Sequence, residues 1–153
     1  MTLFYQINKL KKRAYFYILN EHDDINLSVC KIIKKYYNDG HKILVRSDND
    51  EIIDEINNLL WTFEQLTFIP HSTNTEFDST TPILLYKNNF KNDSIIKKDY
   101  NVILNIDMKL DSNENDHEII IEIVGHDENK KNISREKYLY YKKNNLDVRH
   151  ENL

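Results

Sequence analysis

A chain of 153 residues with 21 Lys and Arg against 25 Asp and Glu has the size of one domain, and its formal charge of −4 makes it no electrostatic trap for a phosphate backbone. Charged residues at 30% and hydrophobic residues at 40% are close to globular averages, which excludes wholesale disorder despite a mean hydropathy of −0.68. The apolar run Ile119 to Val124 is interrupted by Glu122 and is far shorter than the roughly 20 residues a membrane helix needs.

Taken in chain order, residues 1–13 read as an N-terminal extension, 14–148 as a single α/β domain and 149–153 as a C-terminal tail. Ala14 to Leu19 is continuously apolar and rich in aromatic and β-forming residues, the profile of a strand covered on both faces. From Leu27, Cys30, Ile33, Tyr36 and Tyr37 recur at helical spacing, and Gly40 can supply a left-handed end. Lys42 to Arg46 reads as a second buried strand. Asp48 with Glu51 fits a capping-box start for a helix whose buried stripe is Ile52, Ile53, Ile56, Leu59 and Leu60. Further strands are expected at Leu66 to Pro70, Ile83 to Tyr86, Val102 to Ile106 and Glu118 to Val124, with Ser72 to Thr81 as a loop. Gly125-His126-Asp127 leads into a helix running to about Asn144. This alternation predicts a Rossmann-like three-layer α/β fold with a mainly parallel central sheet flanked by helices.

The chemistry that sequence patterns can announce is mostly excluded. The turn after the first strand, Asn20 to Asp24, is acidic and lacks the glycines that bring backbone amides to phosphates. The six histidines show no metal-ligand spacing, so neither a metal nor another cofactor is expected. Cys30, the one cysteine, allows no internal bridge and agrees with a reducing cytoplasm; its place on an apolar helix face argues against thiol catalysis. One catalytic alternative stands: Asp23, Asp24, Asp48 and Asp50 at the carboxyl edge of a parallel sheet could hold Mg²⁺ for a small hydrolase, although acids in first helical turns are routine.

Lys131, Arg135, Tyr138 and Lys142 stand at i, i+4, i+7 and i+11 and fall within about 60° of helical arc. Lys130, Lys137 and Lys143 are read as additional positive charge, and Ile133, Tyr140 and Tyr141 as the side packed on the sheet. The stripe is either a solvated face with cations near a helix C-terminus or a small site for an acidic peptide or carboxylate, with Arg135 as a bidentate clamp and Tyr138 as an apolar wall. Trp61 and Phe68-Ile69-Pro70-His71 form a second cluster, for which core filling is the simpler reading and an edge-strand surface for another chain the other.

The run Val29 to Val45, the helix ending Leu60-Trp61, Phe68-Ile69-Pro70-His71, and Ser134-Arg135-Glu136-Lys137-Tyr138 with Tyr141 occur in an order and spacing that resembles the chi subunit of bacterial DNA polymerase III holoenzyme. Ala14 to Leu19 and Asn101 to Ile106 resemble strands of that family. The chain departs from it in Met1 to Arg13 and in Ser72 to Tyr100, where a Gly/Pro-rich loop gives way to Asn, Asp and Thr. The resemblance implies a non-catalytic, cytoplasmic accessory protein of the clamp loader that meets DNA only indirectly. It implies docking of the acidic C-terminal tail of single-stranded-DNA-binding protein at Val124, Lys131, Arg135, Tyr138 and Lys142. It also implies an interface for the psi subunit, or alternatively for a helicase, at Trp61 and Phe68.

Overall fold

The structure, a computed structural model, describes residues 11–64, 68–74, 80–87, 99–109 and 117–153. Among these, seven strands and three helices follow one another as β1 (Arg13–Ile18), α1 (Ile25–Asn38), β2 (Ile43–Ser47), α2 (Asp50–Thr62), β3 (His71–Thr73), β4 (Ile83–Tyr86), β5 (Val102–Ile106), β6 (Ile119–Val124), α3 (Glu128–Lys143) and β7 (Asp147–Asn152). They form one sheet in the order β3-β4-β2-β5-β6-β1-β7, and every pairing is parallel.

A parallel sheet needs cover on both faces, and the central strands are accordingly buried and mostly apolar, Arg46, Ser47, Asn105 and Glu122 being the polar exceptions. Ile43 and Val45 of β2 point with Leu104, Ile121 and Tyr17 toward α1 and α2, into the larger core with Cys30, Ile33, Ile53, Ile56 and Leu60. The alternate residues, Leu44, Ile103, Ile120, Ala14 and Phe16, point the other way, onto a smaller core closed by Tyr141 of α3. The molecule is thus the three-layer α/β fold that the strand-helix alternation predicts, with α1 and α2 on one face of the sheet and α3 on the other.

Local chemistry fixes the element ends. The Asp24 carboxylate accepts the Leu27 amide at 3.0 Å to start α1. The helix stops at Gly40, whose φ of 88° lets its amide reach the Tyr37 carbonyl and the His41 amide reach that of Tyr36. At α2 the cap is Asn49, whose Oδ1 accepts the Glu51 amide at 3.0 Å, and not Asp48, which instead accepts the Lys109 amide at 3.4 Å. Asp127 caps α3 through the amides of Asn129 and Lys130.

Two further expectations need correction. Of the strand expected at Leu66 to Pro70, residues 65–67 lie outside the described residues, and Phe68 to Pro70 run unpaired. The strand begins only at His71, inside the stretch read as a loop from Ser72, because Pro70 has no amide hydrogen to give to a ladder. Residues 147–152, expected as the end of the domain and a tail, are strand β7, paired along its length with β1. It is an edge strand whose charged and polar residues Asp147, Arg149, His150, Glu151 and Asn152 guard its open side and conceal it from a search for apolar runs.

Candidate functional site

In an open α/β sheet, ligands favour the carboxyl edge at the point where helices leave adjacent strands toward opposite faces. Here that point lies between β1, followed by α1 on one face, and β6, followed by α3 on the other. A groove of about 560 Å³ opens there. Phe16 and Ile18 of β1 and Val124 of β6 make its floor; Lys131, Ser134, Arg135, Tyr138 and Leu139 of α3 make its wall; His150 of β7 closes the far side. Tyr138 is held edge-on to Phe16, ring centroids 6.0 Å apart, and leans on His150 at 5.3 Å.

Four of the five residues placed by sequence at one site, Val124, Lys131, Arg135 and Tyr138, therefore line one groove. The fifth, Lys142, sits outside the lining with its Nζ 5.8 Å from the centre of the Tyr138 ring, close enough for a cation–π contact. Arg135 is exposed and poised over the groove: its Nη1 donates to Asn132 Oδ1 at 2.7 Å and to Glu128 Oε1 at 3.4 Å. An exposed pair of this kind holds the side chain out at a cost to displace of only ~0–1 kcal/mol. The guanidinium carries five N–H donors, and these two contacts use one nitrogen.

Lys137 is not part of the surface charge. It is 1% exposed and points into the sheet, where its Nζ lies 2.9 Å from Glu122 Oε2. A charged end that deep needs an opposite charge, and Glu122 supplies it. The other carboxylate oxygen accepts the Tyr141 hydroxyl at 2.7 Å and the Asn105 amide at 2.8 Å, and Asn105 Oδ1 accepts from Arg46 Nε at 2.6 Å. Strand register explains the line, since Arg46, Asn105 and Glu122 are direct neighbours across β2, β5 and β6. Lys130 likewise is engaged, 3.0 Å from Asp107. Of the residues expected to pack on the sheet, Tyr141 is buried, and Ile133 and Tyr140 are half-buried.

Trp61 and Phe68 do not fill the core. They are 57% and 64% exposed, their rings lie 5.6 Å apart, and Trp61 also covers His71 at 4.7 Å. Three of the four acids of the hydrolase alternative serve local structure: Asp24 caps α1, Asp23 accepts the Asn20 amide at 2.8 Å, and Asp48 accepts the Lys109 amide; the fourth, Asp50, lies in the first turn of α2. Among the described residues no three His, Cys, Asp or Glu side chains converge as metal ligands. Burial, with Asp24 nearby, pushes the Cys30 thiol up to about 12, far from the range of a nucleophile.

Sequence reading missed Phe16, Ile18, Ser134, Leu139 and His150 in the groove, and the role of Glu122. A single Glu in a buried run of Ile was the available signal for a partnered charge; nothing in the polar stretch 147–152 marked His150 as facing Tyr138.

Sheet, layers and switch-point groove together define a Rossmann-like α/β protein, and among the described residues no helix is long and apolar enough to cross a membrane. The chain belongs to the DNA polymerase III chi subunit family, HolC, whose sequence model matches residues 12–149. That membership gives it an accessory role in DNA replication. No curated protein matches the chain.

Proposed function

We propose that this chain is a non-catalytic, cytoplasmic subunit that links the clamp loader of DNA polymerase III, through psi, to the acidic C-terminal tail of single-stranded-DNA-binding protein. The observation that carries this reading is the convergence of Val124, Lys131, Arg135 and Tyr138 on one open groove at the sheet's switch point. Arg135 pairs with the terminal carboxylate of the tail, and the apolar floor beside Val124 and the Tyr138 ring receives its aromatic side chain. Lys131 and Lys142 draw in the preceding aspartates. Contact with DNA is indirect, in keeping with a formal charge of −4. The exposed Trp61–Phe68 pair is the surface for psi, or for a helicase that uses the same face.

Charge pairs at a rim act on encounter, whereas a desolvated clamp controls release. Calorimetry with an acidic peptide ending in a free phenylalanine carboxylate tests the assignment. Arg135→Ala is expected to weaken binding by about 2 kcal/mol or more, and Lys142→Ala by less than about 1 kcal/mol with a shallower salt dependence. Equal and negligible losses for both would remove the tail from this groove.

A further inference from the structure

The wall of the groove is one face of α3, so whatever fixes the rotation of α3 on the sheet also fixes the groove. Hydrophobic burial does this poorly here. Among the residues of α3 only Lys137 and Tyr141 are fully buried; Tyr138 and Tyr140 pack on the smaller core but stay partly exposed, and Leu139 is 66% exposed. A helix without a continuous apolar stripe has little to define its rotation by area alone. What is directional is polar: Lys137 and Tyr141, one turn apart, both donate to the two oxygens of the Glu122 carboxylate. That carboxylate is itself held by Asn105, and Asn105 by Arg46, so the anchor is tied to the centre of the sheet. Turning α3 by one residue would leave the Glu122 carboxylate buried without Lys137, which is strongly unfavourable.

We infer that Glu122, Lys137 and Tyr141 are positioning residues: their buried cluster sets the rotation of α3 and thereby points Lys131, Arg135 and Tyr138 into the groove. Buried pairs of this kind often add little net stability over well-packed apolar groups, so orientation is what the cluster contributes. The inference rests on the reading of the groove as a peptide site, but the orientation of α3 can be read without any peptide. Tyr138 reports it through its ring contacts with Phe16 and His150.

The test compares the wild-type chain with an apolar variant, Glu122→Leu/Lys137→Met/Tyr141→Phe, and a neutral hydrogen-bonding variant, Glu122→Gln/Lys137→Gln. The apolar variant is expected to melt cooperatively at or near the wild-type temperature, to lose the Tyr138–Phe16 and Tyr138–His150 ring contacts in nuclear Overhauser spectra, and to bind the acidic peptide about tenfold more weakly. That loss corresponds to α3 occupying the groove-forming orientation about a tenth of the time. The neutral variant is expected to keep the ring contacts and most of the affinity. An apolar variant that folds with its ring contacts and affinity intact overturns the inference. If the apolar variant does not fold, Tyr141→Phe decides: faster hydrogen exchange along α3 with weakened ring contacts supports the inference, and wild-type behaviour in both overturns it. If the wild-type chain itself does not bind the peptide, the tail reading fails, and the ring contacts alone decide the role of the cluster.

Discussion

At the scale of single residues, this protein separates reactive-looking side chains from functional ones by burial. Cys30 is enclosed by the larger core and its thiol is pushed up to about 12, first by loss of solvent and then by the nearby Asp24 carboxylate. The group is neutral below that value, so no nucleophilic thiolate forms at pH 8 while the chain is folded. Iodoacetamide at pH 8 is therefore expected to leave the native protein unlabelled and to modify Cys30 only at urea concentrations that unfold it, as mass spectrometry will show. Labelling in native buffer would mean that α1 opens locally. Arg135 is the opposite case, an exposed charge whose short-range partners, Asn132 and Glu128, are on its own helix and hold it ready without consuming it.

At the scale of elements, the central strands and all three helices could be read from the sequence, because each satisfies a local rule: β2, β4 and β5 each open on a run of three or four apolar residues, and α1 ends where Gly40 permits a left-handed residue. The stripe on α3 was equally legible, since helical spacing places Lys131, Arg135, Tyr138 and Lys142 together wherever the helix goes. What escaped was the sheet face each strand turns toward the groove, which depends on register with distant strands, and β7, whose polar edge carries no apolar signature. The turn that delivers β7 did leave a mark. Asn145 takes φ 64°, its amide bonds to the Lys142 carbonyl and that of Leu146 to Tyr141, the hydrogen-bond pattern of a helix ended by a left-handed residue. Asn tolerates this conformation, Gly tolerates it better, and a β-branched residue does not. Asn145→Val is thus expected to cost about 1–2 kcal/mol and lower the melting midpoint by a few degrees, while Asn145→Gly holds it or raises it slightly, both measured by thermal unfolding. Because β7 carries His150 to the groove, the valine substitution should also weaken the Tyr138–His150 contact.

At the scale of the whole molecule, the two exposed features sit at opposite ends of the sheet. Trp61 covers His71 on edge strand β3, whereas the groove is closed by His150 on edge strand β7, and six strand spacings separate those edges, about 29 Å. They also engage opposite faces, Trp61 extending from α2 and the groove lying beneath α3. Between them lies a parallel sheet of buried, close-packed side chains, and in the proposed reading it holds two partners apart without relaying one to the other. Sites so far apart with no shared neighbours should behave independently. Trp61 is the only tryptophan, so its fluorescence reports on one end alone. Titration with the acidic peptide is expected to leave the Trp61 emission maximum unmoved, and Trp61→Ala/Phe68→Ala to change peptide affinity by less than about twofold, additively with Arg135→Ala. A shift of Trp61 emission on filling the groove would show instead that the sheet transmits occupancy from one edge to the other.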